Sequence, residues 1–130
     1  MAENIPLETE EQQALFEWTR LNQQTIPELG LMFAIPNGGK RYRKTACTLK
    51  AEGVKPGVSD IFLPVAKCGF HGMFIEMKRK QGGKLSDEQR SFISAVAKQG
   101  YLAIVPEGWE EAKEWILGYL ENRINRRKNN

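Results

Sequence analysis

The chain has 130 residues, which favours one domain with a modest hydrophobic core. It is 41% apolar and 27% charged, as in globular proteins, and no apolar run approaches the roughly 20 residues that span a bilayer. The N-terminus lacks a basic region followed by an apolar core, so no signal peptide is predicted and we expect a cytoplasmic protein. Two separated cysteines and one histidine argue against a disulfide framework and a His-rich zinc site.

The positions of the charged residues along the chain are more informative than the net charge of +3. Basic residues cluster in segments 40–44, 78–84 and 123–128. Clustered cations suit a polyanion, above all nucleic acid, whereas the plainer alternative is solvated loops with a basic tail over 121–130. The turn that carries Lys40 and Arg41 lacks the full pattern of a phosphate-binding loop, so we expect it to contact a DNA backbone and predict no nucleotide cofactor.

Hydrophobic periodicity and breakers predict elements in the order αβαββαβα. In chain order they are a helix from Thr9 to before Pro27, a strand over 31–35, a helix over 43–52, strands over 61–65 and 73–78, a helix from Ser86 to Gly100, a strand over 101–105 and a helix over 108–123. Thr9 with Gln12, and Ser86 with Gln89, have the spacing of capping boxes. The two central strands form a predicted antiparallel hairpin. This order indicates a single α/β domain with a central mixed sheet flanked by helices.

The predicted helices have apolar faces that we expect to point inward. The expected inward residues are Ala46, Leu49 and Cys47 on the second helix; Phe92, Ile93, Val96 and Ala97 on the third; and Ala112, Trp115, Ile116, Tyr119 and Leu120 on the last.

The strand over 73–78 places a carboxylate and an ammonium side by side. Strand alternation puts Glu76 and Lys78 on the face opposite the methionines, and Asp60 begins the preceding strand. Magnesium is commonly held by one or two carboxylates with water and phosphate, and the backbone carbonyl of Met77 could complete the protein's share. This arrangement predicts phosphodiester hydrolysis. The alternative is an exposed strand face on which Glu76 and Lys78 form ordinary cross-strand pairs.

Two further polar residues are candidates for the same site. Glu11 falls on the helical stripe of Leu15, so the first helix directs a carboxylate toward the core, although a first-turn Glu is also favoured by the helix dipole. Glu8 and Glu10 compete for this role. Gln89 is explained fully by its capping box, and its residue type alone does not indicate a catalytic function.

Four segments together resemble the VRR-NUC (virus-type replication-repair nuclease) family, a branch of the PD-(D/E)xK nuclease superfamily. They are IPNGGKR over 35–41, LKAEGVKPGVSDIFLP over 49–64, FIEMK over 74–78 and LSDEQ over 85–89. The similarity extends over about residues 8–120 and implies a single nuclease domain with the restriction-endonuclease-like fold.

The resemblance implies roles for particular residues. Asp60 and Glu76 match the family's acidic metal ligands, Lys78 its catalytic lysine and Gln89 the glutamine of the following helix. The first-helix glutamate is best matched by Glu11, with Glu8 as the second choice. The proline that gives the superfamily its name is replaced by Ser59, and this departure affects no catalytic group.

The resemblance also implies a partner and a cofactor. It suggests a Mg²⁺- or Mn²⁺-dependent endonuclease of phage or prophage type that cuts branched DNA, such as four-way junctions, as a homodimer. The residues expected to contact DNA are Lys40, Arg41, Arg43, Lys44, Arg79, Lys80 and Lys84. Trp109, Trp115 and Tyr119 are candidates for the dimer surface, unless they are core residues. The alternatives are an exonuclease, a restriction-type, flap or nicking enzyme, and a DNA-binding module without catalysis.

Overall fold

The computed structural model describes residues 4–36 and 45–125. The elements are α1 (Glu8–Asn22), a 3-10 helix (Pro27–Leu31), β1 (Phe33–Ala34), α2 (Ala46–Ala51), β2 (Ile61–Leu63), β3 (Met73–Ile75), α3 (Asp87–Lys98), β4 (Leu102–Ile104) and α4 (Trp109–Leu120). The predicted order is confirmed, and the 3-10 helix is an addition that replaces the start of the strand predicted over 31–35. Within these ranges both cysteines are free, and no helix has the length and apolarity needed to cross a membrane.

The four strands form one mixed sheet in the order β1-β2-β3-β4. The first two pairings are antiparallel and β3 pairs with β4 in parallel, which confirms the predicted hairpin and the mixed sheet. Backbone pairing continues beyond β3, because the N–H of Glu76 donates to Ile104 O at 2.9 Å and that of Lys78 to Pro106 O at 3.1 Å. The carboxylate and the lysine of the predicted strand therefore lie on extended, hydrogen-bonded backbone.

One face of the sheet forms the hydrophobic core with α1 and α4. Its buried residues include Ile61, Leu63, Met73, Ile75, Met77, Leu102 and Ile104 from the strand region and Leu15, Ala112, Ile116 and Tyr119 from the helices. Tyr119 is 0% exposed and its hydroxyl donates to Val65 O at 2.5 Å. Burial raises the pKa of Tyr119 to about 12. Tyr119 therefore belongs to the core and cannot form a dimer surface, while Trp109 and Trp115 are half-buried against the same core.

The prediction that the apolar residues of α2 point inward is wrong for two of the three residues. Ala46 and Cys47 are exposed, and Leu49 is half-buried. The helix begins after Thr45, whose Oγ1 accepts from the N–H of Thr48 at 3.1 Å, and it has only 6 residues. So short a helix presents one apolar side chain, Leu49, to the protein, and small residues at its start gain little from burial.

The apolar residues of the third helix are more exposed to solvent than the sequence pattern predicts. Phe92, Ile93 and Val96 are half-buried and Ala97 is exposed, so the prediction for Ala97 is wrong. The helix packs against β4 along one narrow stripe, which leaves none of its residues fully buried.

The start of α1 differs from the predicted capping box of Thr9 and Gln12. The helix begins at Glu8 with Leu7 as its N-cap, and Glu10 Oε1 accepts from the Leu7 N–H at 2.9 Å. Glu10 therefore performs the role expected of Gln12, because it is the residue three positions after the true N-cap.

Candidate active site

Strand register brings the two predicted carboxylates together at one end of the sheet. Ile61 pairs with Ile75 in the antiparallel ladder, so the next residues outward, Asp60 and Glu76, lie opposite each other on one face. The N–H of Met77 donates to Asp60 Oδ2 at 2.9 Å. This bond fixes the aspartate against the neighbouring strand, beside the glutamate.

Glu76 is a buried acid with an incomplete set of partners. Its side chain is 2% exposed, its Oε2 accepts from Gln89 Nε2 at 3.1 Å, and its Oε1 has no hydrogen-bond partner among the described residues. Burial and the negative charge of Asp60 raise the pKa of Glu76 to about 9, against the opposing effect of Lys78. In the absence of a cation, Glu76 therefore keeps its proton at neutral pH, and the pair carries one negative charge instead of two.

Lys78 and Gln89 complete a small network around Glu76. Lys78 Nζ lies 3.9 Å from Glu76 Oε2 and donates to Gln89 Oε1 at 3.3 Å. The same Gln89 oxygen accepts from the Ser86 N–H at 2.9 Å, and Ser86 Oγ accepts from the Gln89 N–H at 3.1 Å. The predicted capping box is thus confirmed, and its glutamine also contacts both Glu76 and Lys78.

The first-helix glutamates have different partners. Glu11 is 2% exposed, as its stripe predicts, but its Oε1 accepts from the Trp109 N–H at the start of α4 at 3.1 Å. Its Oε2 is buried without a hydrogen-bond partner in the described part of the chain. Glu8 is exposed and close enough for its charge to raise the pKa of Glu76. Glu8, the second choice from sequence, therefore has an electrostatic effect on Glu76, and the ligand role expected of Glu11 stays a prediction.

The loop before Asp60 is packed tightly, which the sequence alone does not reveal. Gly57 has φ +88°, and an added Cβ would lie 2.4 Å from the carbonyl carbon and oxygen of Glu88. The loop therefore touches the first turn of α3 and sets the spacing between Asp60 and Gln89. Ser59 is 1% exposed, and its Oγ has no partner within residues 4–36 and 45–125. The glycine at position 57 is a residue type typical of tight turns, but its contact with Glu88 was not predictable from the sequence.

The donor set can be tested against a divalent cation. Within the described ranges, no group of three or more His, Cys, Asp and Glu side chains is arranged to hold a metal ion. A site at this position would therefore use Asp60 and Glu76, with the Met77 carbonyl, rather than a cluster that includes Glu11. Two carboxylates are a common protein share for Mg²⁺, and the unpartnered Glu76 oxygen provides a ligand position. These residues fit such a cation.

The predicted DNA-contacting residues fall into two groups. Lys40, Arg41, Arg43 and Lys44 lie outside the described residues. Arg79 is half-buried and its Nη2 donates to Ile5 O at 3.3 Å, so it holds the N-terminal segment. Lys80 is exposed and forms an ion pair with Glu110 at 3.4 Å, and Lys84 is exposed beyond the same turn.

Comparison with known proteins agrees with the geometry. The VRR-NUC domain family matches residues 3–108, and a solved structure described as a "VRR_NUC domain protein" superposes with a TM-score of 0.78 at 26% sequence identity. That similarity covers 91% of this chain and 91% of the other. A search of curated protein sequences finds no match. The family match extends over most of the chain, so this protein belongs to the VRR-NUC domain family and carries a nuclease-type domain.

Proposed function

We propose that this protein is a metal-dependent DNA endonuclease that hydrolyses phosphodiester bonds in branched DNA, with Mg²⁺ or Mn²⁺ as its cofactor. The observation that carries the proposal is the opposed pair of Asp60 and Glu76, with one buried Glu76 oxygen unpartnered among the described residues. The neighbouring Lys78 and Gln89 supply a positive charge and a rigid link to α3. The family match supports nuclease chemistry for this domain.

The side chains have separable roles in such a reaction. Asp60, held by the Met77 N–H, and Glu76 would bind the divalent cation, which when present lowers the pKa of its bound water and offsets charge on the phosphate. Lys78 directs its ammonium toward the same place, where it would stabilise negative charge that develops during attack. Gln89 orients Lys78 and Glu76 through its two amide ends.

A cleavage assay with isosteric variants tests the metal site. We expect Mg²⁺ or Mn²⁺ to support cleavage by the wild type, and Asp60→Asn or Glu76→Gln to abolish it while DNA binding in EDTA persists. Glu17→Gln, which changes an exposed carboxylate on α1, is the matched control and should cleave normally. Wild-type cleavage rates in both site variants would exclude the assigned ligands. Binding by the wild type without cleavage in any metal would indicate a DNA-binding module instead.

The branched substrate is tested in parallel. A four-way junction, a flap, a linear duplex and a single strand of matched sequence should be compared under identical metal and salt conditions. Preferred cleavage of the branched DNA at internal positions is expected. Progressive shortening from DNA ends would indicate the exonuclease alternative, and single cuts confined to flaps would indicate a flap or nicking enzyme.

We also propose that the active form is a homodimer. A four-way junction has two-fold symmetry and needs a cut on each of two strands, which a C2 dimer with one site per subunit supplies. Exposed apolar side chains at Leu7 and Leu21 provide surface outside the core. Sedimentation at micromolar concentration should give a dimer. A monomer that makes paired cuts would contradict the symmetry argument.

A further inference from the structure

Aromatic side chains continue the sheet face that carries the carboxylate pair. Phe62 and Phe74 alternate with the core residues of β2 and β3, so they share a face with Asp60 and Glu76. The rings of Phe62 and Phe74 stack with centroids 4.5 Å apart. Phe33 on β1 is the direct cross-strand partner of Phe62, with centroids 5.9 Å apart and an interplanar angle of 81°. The result is an aromatic row across three strands.

The row is covered at one end and reaches solvent at the other. Phe92 of α3 packs edge-on against Phe74 with centroids 5.2 Å apart, so the third helix covers the β3 side. Phe62 is half-buried, and Phe33 is 48% exposed on the edge strand. A large exposed ring held by a second aromatic ring is a preformed surface, because Phe62 limits the orientations available to Phe33.

The position of this surface relative to the carboxylates indicates its ligand. Phe62 lies two residues from Asp60 along the strand, which corresponds to about 6.8 Å of backbone. A phosphate that reaches Asp60 and Glu76 must bring adjacent nucleotides over the same sheet face. Because α3 occupies the β3 and β4 side, those nucleotides pass over β1 and β2, where Phe33 is exposed.

A base is able to stack on Phe33 only if one of its own faces is free. In a continuous duplex, both faces of each base contact neighbouring bases, whereas an unpaired base can leave the stack and pack on an aromatic side chain. Such stacking tolerates any base and contributes about 1–3 kcal/mol. The ring therefore favours substrates with an unpaired nucleotide over fully paired ones.

We propose that Phe33, supported by Phe62, stacks an unpaired nucleobase next to the phosphate that is cleaved. The substrates would then be branched or gapped DNA with an unpaired nucleotide beside the cleavage position. This inference rests on the proposed function for the location of the cleaved phosphate. It adds a requirement that neither the carboxylate pair nor Lys78 imposes.

The test measures binding in EDTA, so that it does not depend on cleavage. Flap DNA with 2-aminopurine at the unpaired position next to the branch is compared with a linear duplex of the same length. Wild-type protein should quench the 2-aminopurine fluorescence. Phe33→Leu, which keeps apolar bulk without a ring, should bind the flap on the order of 5- to 150-fold more weakly and lose the quenching. Phe33→Tyr, which keeps an aromatic ring, should bind the flap and quench the fluorescence as the wild type does. The affinity for the linear duplex should be the same in the wild type and in both variants.

Leu31→Ala is the matched control, because Leu31 is 54% exposed and nearby but carries no ring. Unchanged flap affinity and quenching in Phe33→Leu would overturn the proposal, as would equal losses on flap and duplex. Loss of the dimer in Phe33→Leu would mean that a second copy of the chain covers this face instead. Failure of the wild type to cleave any DNA would refute the proposed function without altering the binding result, so the two failures are distinguishable.

Discussion

Replacement of Glu76 by glutamine should change how the stability of the metal-free protein depends on pH. Burial and the charge of Asp60 raise the pKa of Glu76 from 4.5 to about 9. Glu8 on α1 acts in the same direction, and Lys78 acts against it. Between these two pKa values, the folded protein retains a proton that the unfolded chain releases.

The sign and size of the effect follow from this difference in bound protons. Because the folded state binds more protons than the unfolded state, the free energy of unfolding falls as pH rises from 4.5 toward 9. The stabilisation is fully present below the lower value and is lost as the pH passes the higher one. The slope reaches up to about 1.4 kcal/mol per pH unit, so the loss between pH 6 and pH 8 is up to about 2.7 kcal/mol. Domains of this kind have only about 5–15 kcal/mol of stability in total.

Urea unfolding in EDTA at pH 6, 7 and 8 measures this slope directly. The wild type should lose stability across the series, while Glu76→Gln, which cannot ionise at this position, should lose much less. Glu17→Gln should follow the wild type because it removes an exposed carboxylate. Parallel pH dependence in the wild type and Glu76→Gln would refute the reasoning, since Glu76 would then titrate alike in both states.

Substitutions at three other positions test the surroundings of the site. Lys78→Ala should lower turnover about a hundredfold or more, because it removes a preorganised charge, and single-turnover kinetics in saturating Mg²⁺ will measure this loss. Glu11→Ala should destabilise the fold by about 1–3 kcal/mol in urea unfolding by leaving the Trp109 N–H unpaired, whereas Glu11→Gln keeps an acceptor and should need no extra metal for half-maximal activity. Gly57→Ala should destabilise by more than about 1 kcal/mol in the same assay, since its Cβ would meet the Glu88 backbone at 2.4 Å.

For each of these predictions, a different outcome would contradict the physical reason given. Activity of Lys78→Ala equal to the wild type would make the lysine a surface-strand residue. A raised metal requirement in Glu11→Gln would make Glu11 a metal ligand after all. Gly53→Ala is the control for the glycine, because Gly53 has a similar φ of +96° with no atom within 4 Å of an added Cβ. Equal losses from Gly53→Ala and Gly57→Ala would leave only backbone strain as the cause.

The elements with regular periodicity were predictable from sequence, and those fixed by tertiary contacts were not. Alternation over residues 73–78 correctly placed Glu76 and Lys78 on one face, because the strand period leaves no other choice. The N-cap of α1 was misplaced by two residues, at Thr9 instead of Leu7, since Glu10 competes with Gln12 as a capping partner. The exposure of Ala46 and Cys47 depends on how far α2 stands from the sheet, which no local pattern encodes.

The same division applies to the site. Asp60 and Glu76 were predictable as a pair because each of the two paired strands alternates between buried and outward residues, which restricts their register. The choice between Glu8 and Glu11 was not, because both lie on the first turns of α1 and only the position of α4 gives Glu11 a partner. Gln89 could be read as a cap from spacing alone, whereas its contacts with Glu76 and Lys78 required the packing of Gly57 on α3.

The helices of this fold differ in how firmly they are held. Helices α1 and α4 contribute Leu15, Ala112, Ile116 and Tyr119 to the hydrophobic core, whereas α2 and α3 have no fully buried residue. Segments with few buried apolar contacts open by local fluctuation at lower free energy than the core. Amide protons of α3 should therefore exchange with solvent faster than those of β2 and β3. Detachment of α3 would separate Gln89 from Glu76 and Lys78, while Asp60 and Glu76 would stay in the sheet. Local opening of this one helix would therefore disrupt the candidate site without unfolding the domain.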